Sequence, residues 1–296
     1  MGQRVFVTGA TGVLGGRLVP RLVDAGHRVT AVARSADKAE TLRAAGATPI
    51  EVDLFDRSAL RNALKGHDSV AQLATSIPTG RAAADPSAWK VNDSLRSEAA
   101  PAIADAAVDV GVDRYIQESI TFPYVDRGDQ WIDERCERDD DAATDSVAVA
   151  EAAADGVTQT GGIGIVLRFA LFMAADSAHS TVFRSAAQRG RFPLVGDLDS
   201  YISFIHMDDA ANAVVAALSV PAGIYNVAEP DPVRRSAHCA ALAAAVGRAE
   251  LDLVAAPAGS GQARLARSHR ISSRLLREVS TWTPTVHCID QWKEIR

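Results

Sequence analysis

Hydrophobic and polar positions along the chain follow two rhythms. Apolar, β-branched runs at residues 5–7, 29–33, 49–52, 69–74, 115–117 and 163–169 predict strands. Between them, residues 13–25, 36–45, 58–64, 87–110 and 142–160 carry apolar side chains at three- and four-residue spacing and predict helices. Strands alternating with helices call for a parallel sheet, with right-handed crossovers stacking helices on both faces. After about residue 171 the rhythm changes to a helix at 180–189, a strand at 201–206, a helix at 208–218 and a strand at 223–227. Helices at 234–246 and 272–279 follow, with 255–261 as a connecting loop. The expected fold is α/β, a doubly wound parallel sheet over residues 1–170. A smaller C-terminal region over 171–296 covers it and returns some elements to the core.

Composition narrows the partners. With 47% hydrophobic and 23% charged residues the chain reads as an ordinary globular protein rather than a disordered one. A net charge of −6 supplies no positive field to condense a polyanion, so nucleic acid is not an expected partner. The N-terminus enters a strand-like run without the features of a signal peptide, which gives a cytoplasmic expectation. The longest uncharged stretch, 210–228, is interrupted by Asn212, Pro221, Gly223 and Asn226, so no membrane span is expected. Cys136, Cys239 and Cys288 are scattered, and no metal site is expected from them. The acidic and basic run 133–141 is read as a solvated loop.

The strongest chemical signal is Thr8-Gly9-Ala10-Thr11-Gly12-Val13-Leu14-Gly15, placed between the first strand and first helix. Gly9 permits a tight turn, Gly12 lets main chain approach a pyrophosphate, and Gly15 allows close helix–sheet packing. The helix N-terminus then faces the anionic phosphates. This is a Rossmann-type dinucleotide cradle. An NAD site would have an acid at the end of the second strand to hold the ribose 2′-hydroxyl, but the chain reads Val32-Ala33-Arg34-Ser35 there. Arg34 suits a 2′-phosphate, which makes NADP(H) the expected cofactor over NAD(H); a solvated arginine after a strand is the alternative. Asp53, with Leu54, stands where a carboxylate accepts from an adenine amino group, and helix capping by Asp53 or Asp56 fits equally.

Further motifs occur in order: Leu73-Ala74-Thr75, Val91-Asn92, Arg114-Tyr115-Ile116-Gln117-Glu118-Ser119, Val166-Leu167-Arg168-Phe169, Phe204-Ile205-His206-Met207-Asp208-Asp209-Ala210 and Ile224-Tyr225-Asn226-Val227. Together with the glycine cradle they make the chain resemble the short-chain dehydrogenase/reductase superfamily, in the extended and atypical branch that includes NAD(P)-dependent epimerase/dehydratase proteins. The resemblance covers nearly the whole chain. It implies that Asp53, Ala74 and Thr75 line the adenine and ribose side and that Ser119 lies near the nicotinamide. His206 and Asp208 begin a helix, where capping explains them without catalysis.

The family's proton-transfer pair is a Tyr with a Lys four residues later on the helix after strand five, the Lys lowering the Tyr pKa. The positions four before Lys38, Lys65, Lys90 and Lys293 hold Arg34, Arg61, Pro86 and Ile289, so the pair is absent from the chain. Aligning Glu151 with the family's acid puts Ala143 and Val147 in those two places. Anchoring on Tyr124 leaves Ile120 nearest the family's Ser or Thr, and a slip of one residue restores Ser119. The candidate acid/base groups are therefore Tyr124, Ser119 and Thr121, with Tyr124 either an acid or a packed residue beside the cleft. Asp129, Asp133 and Glu134 lie in the next loop, where burial tunes a carboxyl upward. Trp131, His179 and Arg184 are candidates for contacting a small-molecule substrate. Three readings stay open: an NADP(H)-dependent oxidoreductase with non-standard acid/base residues, a non-redox enzyme on the same fold, and a non-catalytic NADP(H)-sensing protein. Ala-rich helices after strands four and five would permit a homodimer.

Overall fold

Val5, Phe6 and Val7 are all fully buried, so the first strand has no solvent face and requires a layer of structure on each side. The computed structural model describes residues 2–78, 82, 85–139, 144–254 and 262–294, with the side chains of 178, 179 and 262 outside that description. The first half alternates β1 (Arg4–Val7), α1 (Gly15–Asp24), β2 (Arg28–Val32), α2 (Ala36–Ala44), β3 (Thr48–Ile50), α3 (Arg57–Leu64) and β4 (Ser69–Gln72). It continues with α4 (Lys90–Ser94), α5 (Ala100–Asp109), β5 (Arg114–Ile120), β6 (Trp131–Ile132), α6 (Asp145–Gln159) and β7 (Ile163–Phe169). Next come β8 (Leu171–Met173), α7 (Ala178–Gln188), β9 (Arg191–Phe192), β10 (Tyr201–Ile202), β11 (Phe204–His206), α8 (Met207–Ala217) and β12 (Gly223–Val227). The chain ends with β13 (Val233–Arg234), α9 (Arg235–Ala245), β14 (Asp252–Leu253), α10 (Gln262–Leu265), β15 (Arg270–Ile271), α11 (Arg274–Val279) and α12 (Gln291–Glu294).

Seven parallel strands form the central sheet in the order β3-β2-β1-β4-β5-β7-β12, as expected for a Rossmann-type doubly wound fold. Alternate residues feed two cores. Val5, Val7, Ile116 and Leu167 join Leu18 and Leu22 of α1 in one. Phe6, Val70, Tyr115 and Val166 meet Leu60 of α3 and Ile103 of α5 in the other. The amphipathic spacing of α1 is visible in its buried Gly15, Leu18, Val19 and Leu22. A third core, including Met173, Phe192, Phe204, Leu242 and Trp292, belongs to the C-terminal region.

The structure departs from the periodicity in several places. The helix expected at 87–110 is a 3₁₀ turn (Pro86–Trp89), α4, a π-helical turn (Leu95–Ala99) and α5. Pro101 has no N–H to donate to the preceding turn, which breaks a uniform α register there. The helix expected from 13 starts at Gly15, because residues 11–14 form the turn. The strand expected at 201–206 splits at Ser203, whose hydroxyl donates to His269 O and accepts from Ile271 N. Its halves pair with β13 and β8 respectively. The run 133–141 is not simply a solvated loop: Glu134 and Arg138 reach inward to the polar cluster described below. The loop read at 255–261 and Ala143 lie outside the described residues.

Candidate active site

The turn after β1 shows why three glycines stand there. Gly9 has a φ of +62°, and a Cβ on it would lie 2.4 Å from Leu73 O. A Cβ on Gly15 would lie 2.3 Å from Gly9 O and 2.6 Å from Ala10 Cα, so α1 packs against the turn too closely for any side chain. A Cβ on Gly12 would meet Gly9 O at 3.1 Å. The bonds opening α1 run from Gly16 N to Gly12 O at 2.9 Å, Arg17 N to Leu14 O at 3.1 Å and Leu18 N to Leu14 O at 3.0 Å, leaving the Val13, Leu14 and Gly15 amides at the open helix end with no main-chain acceptor among the described residues. Leu14 at the N-cap offers no side-chain hydrogen bond and the first turn holds no acid. Val13 is 57% exposed beside this opening. An uncapped, acid-free helix end behind glycine backbone fits a phosphate group.

Thr8 is fully buried and tied elsewhere: its hydroxyl donates to Gln72 Oε1 and accepts from Leu73 N at 3.1 Å and Ala74 N at 3.3 Å. It therefore fixes the loop carrying Ala74 and Thr75 rather than facing outward. Thr11 and Thr75 are half-buried, and Ala74 is buried. Arg34 is exposed and has no hydrogen bond or ion pair among the described residues, so its guanidinium is available to an anion. Asp53 is exposed and accepts from Phe55 N at 3.0 Å, while Leu54 packs partly against the second core. Asp56 is the cap of α3, accepting from Ser58 and Ala59 N–H groups.

The carboxyl ends of β5, β7 and β12 carry a row of polar residues in register: Ser119 pairs with Arg168, and Arg168 with Asn226. Glu151 of α6 accepts from Arg168 Nε at 2.9 Å and from its Nη2 at 2.7 Å, from the Ser119 hydroxyl, and from Arg138. Tyr124, 1% exposed, donates its hydroxyl proton to Asn226 Oδ1 at 2.9 Å and accepts from Arg168 Nη1 at 2.7 Å. Glu134 Oε1 accepts from Asn226 N at 2.8 Å. Burial pushes the Tyr124 phenol up to about 12 despite the neighbouring Arg168. Burial alone would raise Glu151, but hydrogen bonding and charge from Arg168, then Arg138, hold it below the usual carboxylate range. Burial raises Glu134.

This cluster brings Ser119 and Tyr124 together, but with their hydroxyl protons already committed. Thr121 is buried too; its amide donates to Phe169 O and its carbonyl accepts from Tyr124 N, yet its hydroxyl has no partner among the described residues. The row was missed as a unit in the sequence. Its signal was Arg168, a charge inside the otherwise apolar run Val166-Leu167-Arg168-Phe169 that can be buried only if paired.

The expected substrate contacts do not converge in the same way. Trp131 is 45% exposed, with the Arg270 guanidinium 4.2 Å from its ring centroid. Arg184 is half-buried on α7, and the His179 side chain lies outside the described residues. His206 caps α8, accepting from Asp208 N at 3.3 Å. No group of three potential ligands that could hold a metal occurs among the described residues. None of their helices is long and apolar enough to cross a membrane.

The sheet order and the glycine turn between its first strand and helix define a Rossmann-type protein. The chain belongs to the NAD dependent epimerase/dehydratase family, whose model matches residues 5–228. This agrees with the resemblance to extended short-chain dehydrogenases. It is 30% identical over 241 residues to a 3-diazoavenalumate denitrifying reductase from a Streptomyces species, covering 78% of this chain and 77% of that protein. Among solved structures it is similar to the UDP-Glc/GlcNAc 4-epimerase of Campylobacter jejuni, with a TM-score of 0.78 and 16% identity over 99% of this chain and 98% of that one. It is also similar to the UDP-glucose 4-epimerase of Bifidobacterium longum in complex with NAD+ and UDP, at a TM-score of 0.78 and 17% identity over 99% and 97% of the two chains.

Proposed function

We propose that this protein is an NADP(H)-dependent oxidoreductase acting on a small organic molecule, with residues 171–296 covering the substrate side and acid/base groups unlike the usual Tyr and Lys. The observation carrying this reading is the open glycine cradle combined with an exposed, unengaged Arg34 where an NAD site would have an acid. Gly9, Gly12, Val13, Leu14 and Gly15 would hold the pyrophosphate, Arg34 the 2′-phosphate, and Asp53, Leu54, Ala74 and Thr75 the adenine and ribose. The bound nicotinamide supplies or accepts hydride. The Streptomyces relative is itself named a reductase, which favours redox chemistry over a hydride-free step.

The protein's own proton chemistry is narrower than the candidate residues first suggested. Ser119 and Tyr124 serve as positioning groups, since the Ser119 proton goes to Glu151 and the Tyr124 oxygen is held from both sides. A phenol pushed to about 12 is a poor base at neutral pH. Thr121, just after β5 and with its hydroxyl unengaged among the described residues, is the group we assign to the substrate oxygen.

Cofactor fluorescence on the purified protein tests the cofactor assignment. Arg34→Ala should weaken NADPH roughly tenfold, the loss of one charge-assisted contact, and leave NADH nearly unchanged. Equal losses for the two dinucleotides would refute the 2′-phosphate role. Absence of binding by either to the unaltered protein would refute the reading as a whole.

A further inference from the structure

The first turn of α1 carries a cation that the helix by itself does not favour. Arg17 stands two residues after Gly15, where the positive end of the helix dipole repels a guanidinium, and no acid in that turn offsets it. The compensating carboxylates come from elsewhere in the chain. Arg17 Nη2 donates to Asp176 Oδ1 at 2.6 Å, and its Nε lies 3.4 Å from Asp208 Oδ1 of α8. Arg21, one turn on, donates through Nη2 to Asp208 at 2.8 Å and through Nε to Asn212 at 3.0 Å, while its Nη1 donates to Arg17 O at 2.7 Å.

The pairs Arg17 with Asp208 and Arg21 with Asn212 step four residues along both helices, so α1 and α8 run in the same direction with their N-termini side by side. The two ends differ. α8 is capped by His206 and has Asp208 and Asp209 in its first turn, whereas α1 has neither a capping side chain nor an acid. Arg17 and Arg21 cancel Asp176 and Asp208 in net charge, which leaves the α1 dipole and the amides of Val13, Leu14 and Gly15 as the unanswered positive end.

The Arg17 guanidinium is held but not used up. Nη2 is taken by Asp176, Nε is buried without a hydrogen bond, and Nη1 has no partner among the described residues. Side chains of a helix lean toward its N-terminus, which for Arg17 is the glycine turn. Asp176 lies in the turn from Ala174 to Ser177, closed by Ser177 N to Ala174 O at 3.0 Å, and Ser177 caps α7. The residue that steadies Arg17 therefore belongs to the segment that opens the covering region.

We propose that Arg17 is a side-chain ligand of the dinucleotide pyrophosphate, steadied by Asp176 and Asp208 and offering its free Nη1 donors to phosphate oxygens at the end of α1. The inference rests on the dinucleotide reading of the glycine cradle and adds to it a contact outside the glycine turn. Because the same guanidinium is bonded to Asp176, the cofactor and the start of the covering region meet on one side chain. The pyrophosphate is common to NADPH and NADH, so Arg17 contributes to both, unlike Arg34.

Fluorescence titration of the full chain with NADPH and NADH, with competition by 2′-AMP, which carries the 2′-phosphate but no pyrophosphate, tests this. Arg17→Met should weaken both dinucleotides by a similar factor, roughly tenfold, and leave 2′-AMP unchanged. Its urea midpoint should hardly move, since the ion pair lost is partly exposed, Asp176 by 72%. Unchanged dinucleotide affinities overturn the assignment while leaving the cradle and Arg34 standing, and so does a loss confined to NADPH or one shared by 2′-AMP. Absence of binding of either dinucleotide by the unaltered protein overturns both readings together. Should Arg17→Met fail to fold, Arg17→Lys, which keeps the charge but has a single ammonium in place of the fork, is titrated instead: a loss of roughly threefold for both dinucleotides supports the role, and no loss refutes it.

Discussion

Replacing Glu151 with Gln removes one charge from the middle of the polar row while leaving its shape. In the native protein both carboxylate oxygens are occupied, by Arg168 Nε at 2.9 Å and Nη2 at 2.7 Å, with the Ser119 hydroxyl and Arg138 completing the set. Arg168 is 4% exposed and has no other carboxylate partner among the described residues, so the variant strands a guanidinium in the interior. Breaking a buried ion pair in this way costs about 3–5 kcal/mol. That is a large part of the ~5–15 kcal/mol that holds a typical domain together. Urea titration and a thermal melt read it directly, and a fall in Tm of roughly 10 °C is expected at this chain size. Glu151→Leu combined with Arg168→Met should lose less than Glu151→Gln alone, because no charge is left unpaired. The pH dependence follows from the lowered Glu151 pKa. Its stabilisation is present above the ordinary value of 4.5 and is lost as pH falls through the lower folded value, so Glu151→Gln should flatten the acid limb of the stability curve. A Glu151→Gln protein within about 0.5 kcal/mol of the native one would refute the claim that the row is interdependent.

Two other changes separate the cradle from the proton chemistry. Gly15→Ala would force a Cβ to within 2.3 Å of Gly9 O, so dinucleotide binding should be lost through displacement of the turn; unchanged affinity by fluorescence titration would contradict the close approach. Thr121→Val should lower turnover with little effect on stability, whereas Tyr124→Phe should cost about 1–3 kcal/mol by leaving Asn226 and Arg168 groups unsatisfied. Comparison of kcat with urea midpoints in the two variants checks both roles, and the reverse pattern would assign the acid to Tyr124.

The chain by itself determined the parallel strand and helix alternation, the glycine turn with its three positions, Arg34 in place of an acid, and the absence of a Tyr and Lys four residues apart. Each depends on residues close in sequence: periodicity, a turn at fixed offsets, or a spacing of four. The capping of α8 by His206 was legible for the same reason. Only the tertiary structure decided the fate of Tyr124 and Ser119. Their partners Asn226 and Glu151 lie 102 and 32 positions away, and meet them because parallel strands bring Ser119, Arg168 and Asn226 into one row. A hydroxyl that looks like a free acid in the sequence is thus a saturated group in the fold. The link of Arg17 to Asp176 was equally out of reach, since two residues 159 positions apart pair only once the fold sets α1 beside the start of the covering region.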